Sequence, residues 1–237
     1  MSIQQESIRN GILAGIPSAD FECLRGFLEP VTLKKGFQIA REDERIEWVY
    51  FPEAGIGSVV AVSPEGKSVE AGLFGREGFS PTAALIGTEI STHRIIAQAP
   101  GGAHRMAITK FRDCIVRFPS MRDLLERYMH NMSTQMSYTA LSNAVHVIDE
   151  RLARWLLMCH DRSDSDEMAL THEFLALMLA VRRPSVTTAL HVLEGKGFIR
   201  AERGYVTIRN RAALEEFAAD AYGKPEEEYR RLIGNGV

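Results

Sequence analysis

The spacing of apolar residues divides the chain into segments of different period. Residues 1–29 read as a short helical lead. Ile12 and Leu13 precede Pro17-Ser18-Ala19-Asp20, where Ser18 can cap a helix carrying Phe21, Leu24, Phe27 and Leu28. From Pro30 to about Ala107 the pattern shifts to short β-rich runs broken by glycine and proline. These runs are 31–33, 48–51, 56–62, 68–74, 93–98 and 103–108, with turn chemistry at Lys34-Lys35-Gly36, Ser63-Pro-Glu-Gly66 and Pro100-Gly101-Gly102. Strands this short and closely spaced predict an antiparallel β-roll of jelly-roll type.

Phe111 to about Val147 predicts one long helix. Leu125, Met129, Met132, Met136, Thr139, Asn143 and His146 recur in a four-three pattern, a heptad seam that is apolar first and polar later. An identical helix across a twofold axis fits such a seam, so Leu125, Met129, Met132, Met136, Thr139 and Asn143 are the expected dimer interface. Methionine makes the seam adaptable. A fresh amphipathic helix, Asp149 to His160, begins the next domain with Leu152, Trp155, Leu156 and Cys159 on one face. The polar run Asp161–Glu167 is expected as a loop.

Residues 169–209 predict two short helices and a hairpin. Thr171 stands as an N-cap before Phe174, Leu175, Met178 and Leu179 at helical spacing. After a break at 180–182, Arg183-Pro184 opens a second helix, since proline is tolerated only in a first turn. Val186, Ala189, Leu190 and Leu193 give that helix a buried face, and Gly195 and Gly197 stop it. The runs 198–200 and 205–208 flank a hairpin turn. A short helix is expected over 212–221. The charged tail, 223–237, is expected to be solvated and weakly ordered.

Charge sharpens this picture. The chain carries a net −3, yet Arg182 to Arg211 holds six arginines and one lysine against two glutamates. A basic island in an acidic chain is the electrostatic footprint of nucleic-acid binding. The polar face of the second helix shows Arg182, Arg183, Ser185, Thr187, Thr188 and His191, types that bond phosphates and base edges. Composition is that of an ordinary globular protein, 45% hydrophobic and 25% charged. No signal peptide or membrane span is expected, and Cys23, Cys114 and Cys159 are too scattered for a disulfide framework or an iron–sulfur cluster, which suits the cytoplasm.

The order of β-roll, long helix and winged helix, with the run Leu170–Glu194 and the segment Asp149-Glu-Arg-Leu-Ala-Arg-Trp-Leu-Leu157, resembles the Crp–Fnr superfamily of bacterial transcription regulators. Gly75-Arg-Glu-Gly-Phe79 and Tyr50-Phe-Pro-Glu-Ala-Gly55 look like a divergent branch. The resemblance implies an α+β fold with a cyclic-nucleotide-binding-like sensor over 1–110, a dimerisation helix over 111–148, a winged helix-turn-helix over 149–222 and the tail beyond. It implies a homodimer without enzymatic activity that binds a palindromic site on double-stranded DNA, with RNA polymerase as a further partner and no membrane. The family's reading positions fall on Arg183, Pro184 and Thr188. Thr171 and Ser185 are expected at phosphates, and Arg200 and Arg203 in the wing.

The same resemblance makes Gly75, Glu77, Gly78, Phe79, Ser80, His93 and Arg94 the effector-pocket candidates. The nucleotide-binding pattern is only half present: Phe79-Ser80-Pro81 replaces Phe-Gly-Glu, and Arg94 is followed by Ile95. A cyclic nucleotide is therefore not expected; the scattered cysteines argue against a cluster, the isolated His93, His104, His130 and His146 against haem, and no metal is expected. The alternatives are a metal-dependent jelly-roll enzyme, which His93 and His104 alone hardly supply, and a winged-helix adaptor for a protein partner.

Overall fold

A computed structural model describes residues 3–234. Two short helices, α1 (Gly11–Gly15) and α2 (Ser18–Leu24), open the chain, and Asn10 caps α1 by accepting from the Leu13 amide. Ser18 is the first helical residue of α2, with Pro17 in the capping position. The roll follows as two antiparallel sheets. One has the order β1 (Glu29–Leu33), β7 (Gly101–Ala107), β3 (Trp48–Pro52). The other has β2 (Gln38–Ala40), β6 (Arg94–Ala99), β4 (Ile56–Val62), β5 (Ser68–Phe74). The β4–β5 hairpin turns at 63–66 and pairs Val62 with Ser68 and Gly57 with Phe74. β2 escaped the sequence reading because it is three residues long and its register shifts at a bulge.

The single long helix expected over 111–147 is two helices. α3 (Ile108–Arg117) ends at Phe118, and Pro119 starts α4 (Pro119–Val145). Proline cannot donate to the preceding turn, so the break falls where the ring demands it.

The expected dimer seam is also corrected. Leu125 and Met132 are buried, with Met121 and Tyr128, in the core that fills the roll. Thr139 accepts from Arg154 of the same chain and, like Met129 and Met136, is half-buried; of the six expected seam residues only Asn143 is fully exposed. The free ridge of α4 is turned by about one residue. It runs through Glu126, Met129, Ser133, Ser137, Ala140 and Ala144.

α5 (Ile148–Asp161), α6 (His172–Met178), α7 (Arg183–Gly195) and α8 (Arg211–Ala218) pack around a second core with the sheet β8 (Glu167–Met168), β10 (Tyr205–Ile208), β9 (Ile199–Glu202). Part of the expected polar loop is thus β8, paired with β10 through Met168 and Val206. Ile56 and Leu73 of the roll belong to this second core.

The tail is the largest departure from expectation. Lys224–Leu232 form α9, capped by the Glu226 carboxylate at the Gly223 amide, while 235–237 lie outside the described residues. Tyr229 and Glu226 are buried, and Tyr229 donates to the Glu77 carbonyl at 2.9 Å. Two nonpolar anchors, Pro225 and Tyr229, sit at helical spacing in a segment whose charge suggested solvation.

Candidate nucleic-acid interface and its coupling to the roll

α6 and α7 are set at their turn by two local devices. Thr171 caps α6, its hydroxyl accepting from the Phe174 amide at 3.2 Å. Ala180 takes a positive φ of 51° in the break, and Pro184 lies in the first turn of α7. Val186, Ala189, Leu190 and Leu193 are fully buried, which fixes the rotation of α7 and leaves its other face outward.

That outward face holds Arg182, Arg183, Pro184, Thr188 and His191, all exposed. Ser185 and Thr187 are half-buried; Thr187 also faces His172, 2.9 Å from its Nδ1. Among the described residues Arg182, Arg183, Arg203 and Arg209 form no ion pair. Arg200 does: it reaches Glu202 on its own strand at 2.8 Å. Arg211 is likewise bound to Asp161 and Glu215, its pKa raised although partial burial opposes this. The positive charge free to meet a phosphate is therefore smaller than the sequence count. Its centre is Arg182, Arg183, Arg203 and Arg209. A concavity of about 670 Å³ separates α7 from the wing hairpin, lined by Thr171, Arg183, His191 and Arg203 and also by Glu194 and Glu202.

The expected effector residues are not one pocket. Glu77, Phe79 and Ser80 are buried in the loop after β5. Phe79 packs in an aromatic cluster with Phe51, Phe111 and Tyr128. Gly78 lies under Tyr128, whose ring would meet a Cβ at 1.9 Å. Gly75 packs against the Arg162 side chain. Glu77 spends its Oε1 on Arg162 of α5's C-terminus at 2.7 Å. Arg94 is engaged by both carboxylate oxygens of Glu42, and the His93 ring stands 3.0 Å from Thr92 Oγ1.

A cyclic nucleotide needs a carboxylate for its ribose and an arginine for its phosphate. Arg94 is held by both Glu42 oxygens, and Glu77 bonds Arg162 through Oε1 alone, its buried Oε2 having no partner among the described residues. Among the described residues no three His, Cys, Asp or Glu side chains gather to hold a metal, and no helix is long and apolar enough to cross a membrane.

The roll is wired instead to the helical domain. Besides Arg162–Glu77, Trp155 Nε1 donates to Glu70 at 2.6 Å, and Gln98 donates to the Cys159 sulfur at 3.4 Å. Asp164 pairs with both Arg9 and Arg76. Lys35 lies 5.4 Å above the Phe174 ring. None of these cross-domain pairings was legible in the sequence, because no period or spacing relates residues this far apart.

Residues 150–217 match the model of the Crp-like helix-turn-helix domain. No curated protein matches the chain in sequence. Solved structures do match it in fold. A putative Crp/Fnr-family transcriptional regulator from Eubacterium rectale is 17% identical, with a TM-score of 0.65 over 87% of this chain and 97% of its own. FixK2 from Bradyrhizobium japonicum is 17% identical, with a TM-score of 0.68 over 81% and 98%. A Crp/Fnr-family regulator from Thermus thermophilus is 20% identical, with a TM-score of 0.65 over 80% and 98%. Residues 150–217 thus carry a Crp-like helix-turn-helix domain, and the chain as a whole shares the fold of these Crp/Fnr-family structures.

Proposed function

We propose that the protein is a homodimeric, sequence-specific DNA-binding transcription regulator that reads the major groove with α7. The observation that carries this reading is the α7 surface. Arg182, Arg183, Thr188 and His191 are exposed on one face, and neither arginine forms an ion pair among the described residues. Arg183, at the helix start, is suited to bidentate bonding with guanine O6 and N7. Arg182, Arg203 and Arg209 are placed for phosphates. Arg200, bound to Glu202, must exchange that partner to contribute.

The free ridge of α4 is the surface along which a second copy would pack. Small side chains there, Ser133, Ser137, Ala140 and Ala144, let two helices approach closely, and Leu141 and Val145 beside them are exposed. Two twofold-related recognition helices would favour half-sites about one helical turn apart. The signal reaches α7 through the roll's direct contacts with α5, not through a nucleotide. Regulation of transcription is an activity without catalysis, and nothing in this reading requires an enzyme.

Selection of randomised duplex DNA by the full chain tests the proposal. Enrichment of a palindrome is expected, and Arg183→Ala should lower its affinity about 5- to 150-fold while relaxing preference at one position per half-site. Absence of enrichment, or a variant with unaltered selectivity, would overturn it. Light scattering at twice the chain mass, lost on Ala140→Glu, tests the dimer separately.

A further inference from the structure

The junction of α4 and α5 holds a small, partly open cavity of about 20 Å³, walled chiefly by Thr139 and Ser142 of α4, Arg151 and Arg154 of α5, and Glu70 of β5. Space of that size takes one water-sized occupant. Its chemistry is cationic. Arg154 is 5% exposed and bonds only neutral acceptors, the Gln135 carbonyl at 3.4 Å and Thr139 Oγ1 at 3.1 Å. Arg151 is half-buried and donates to the Leu179 carbonyl at 2.5 Å. Among the described residues neither arginine forms an ion pair, and burial lowers the pKa of both. A buried cation lacking a counter-charge is costly.

The acid in the wall does not supply one. Glu70 has Oε1 bonded to Trp155 and Oε2 to Ser58, and desolvation pushes its pKa up to about 7, so near neutrality much of it is uncharged. Glu226 acts on Arg154 at longer range, but burial raises its pKa as well. Two buried donors in the wall, Ser142 Oγ and Arg151 Nε, have no partner among the described residues. Two cations, two spare donors and room for one small sphere define an acceptor-only ligand.

We propose that this cavity binds one monatomic, chloride-sized anion, held by Ser142, Arg151 and Arg154. The site's walls belong to the long helix, the first helix of the DNA-binding domain and, at Met178, the end of α6. Occupancy therefore stiffens the junction across which the two domains are placed. The inference stands on the junction alone and is independent of the DNA-binding reading.

Crystals of the full chain soaked in bromide should show an anomalous peak within reach of Ser142 and Arg151. Replacing gluconate by chloride at constant ionic strength should raise the melting temperature by about 3–6 °C at tenfold excess over the dissociation constant. Arg151→Met should abolish that rise, and Ser142→Ala should weaken it; the serine variant serves where the arginine variant fails to fold. A water without anomalous signal, or a chloride response equal in wild type and both variants, would overturn the assignment.

Discussion

Arg162 and Glu77, 85 positions apart, form a salt bridge at 2.7 Å with side chains 4% and 2% exposed. Arg162 also donates to the Met158 carbonyl, which orients the guanidinium at the end of α5. The pair fixes the loop after β5 to the DNA-binding domain.

Removing one partner leaves the other charge buried alone. Glu77→Gln or Arg162→Met should each cost about 3–5 kcal/mol. The double variant should cost clearly less than the sum, because no orphaned charge remains. A double-mutant cycle in urea measures this, and strict additivity would deny that the pair acts as a unit.

Glu70 makes stability depend on pH in an unusual sense. A glutamate in an unfolded chain titrates near ~4.3. In the fold, burial raises Glu70 to about 7, against its bonds from Ser58 and Trp155 and the charges of Arg154 and Arg162; the neighbouring Cys159 thiol is pushed far up. Between those pH values the folded state holds the extra proton. Stability should therefore fall as pH rises from about 4.5 to 7, by about 3 kcal/mol, and stay level above. Glu42 and Asp164, each held at about 2 by arginines, act in the opposite sense and below this window. Urea midpoints from pH 5 to 8 should slope in the wild type and flatten in Glu70→Gln; identical slopes would remove Glu70 as the source.

Tyr229 anchors α9. Tyr229→Phe loses only the bond to the Glu77 carbonyl and should cost about 1 kcal/mol. Tyr229→Ala opens a cavity in the core of the roll and should cost about 3–5 kcal/mol. Amide exchange should quicken along 224–232 in the alanine variant. Protection unchanged there would mean that α9 is held by something other than its tyrosine.

At Gly78 the constraint is steric. A methyl group would overlap the Tyr128 ring, so Gly78→Ala should destabilise by about 1–3 kcal/mol or more. Adding Tyr128→Leu should recover part of the loss, as thermal melts of the two variants would reveal.

What was legible followed local rules. The Thr171 cap, Pro184 in a first turn and the period of Val186, Ala189, Leu190 and Leu193 mark α6 and α7 without reference to the rest of the chain. What was hidden depended on distant partners. The rotation of α4 turns on which side the roll covers, and a heptad containing Met129 and Met136 does not say whether Met132 or Ser133 faces inward. The charged tail concealed α9 because its order comes from packing against α4 and from Tyr229 meeting a loop formed far upstream. Arg200 and Arg211 counted toward the basic island because the carboxylates that hold them cannot be read from local sequence alone.

Ile56 and Leu73 carry a practical consequence. They sit on the roll, yet their side chains complete the interior of the DNA-binding domain. Grafting residues 149–222 onto another roll would leave holes where those two were, and the recipient would have to receive them too. The modules are sequential along the chain but share structural material, so their evolutionary exchange is constrained at a seam that a linear boundary does not reveal.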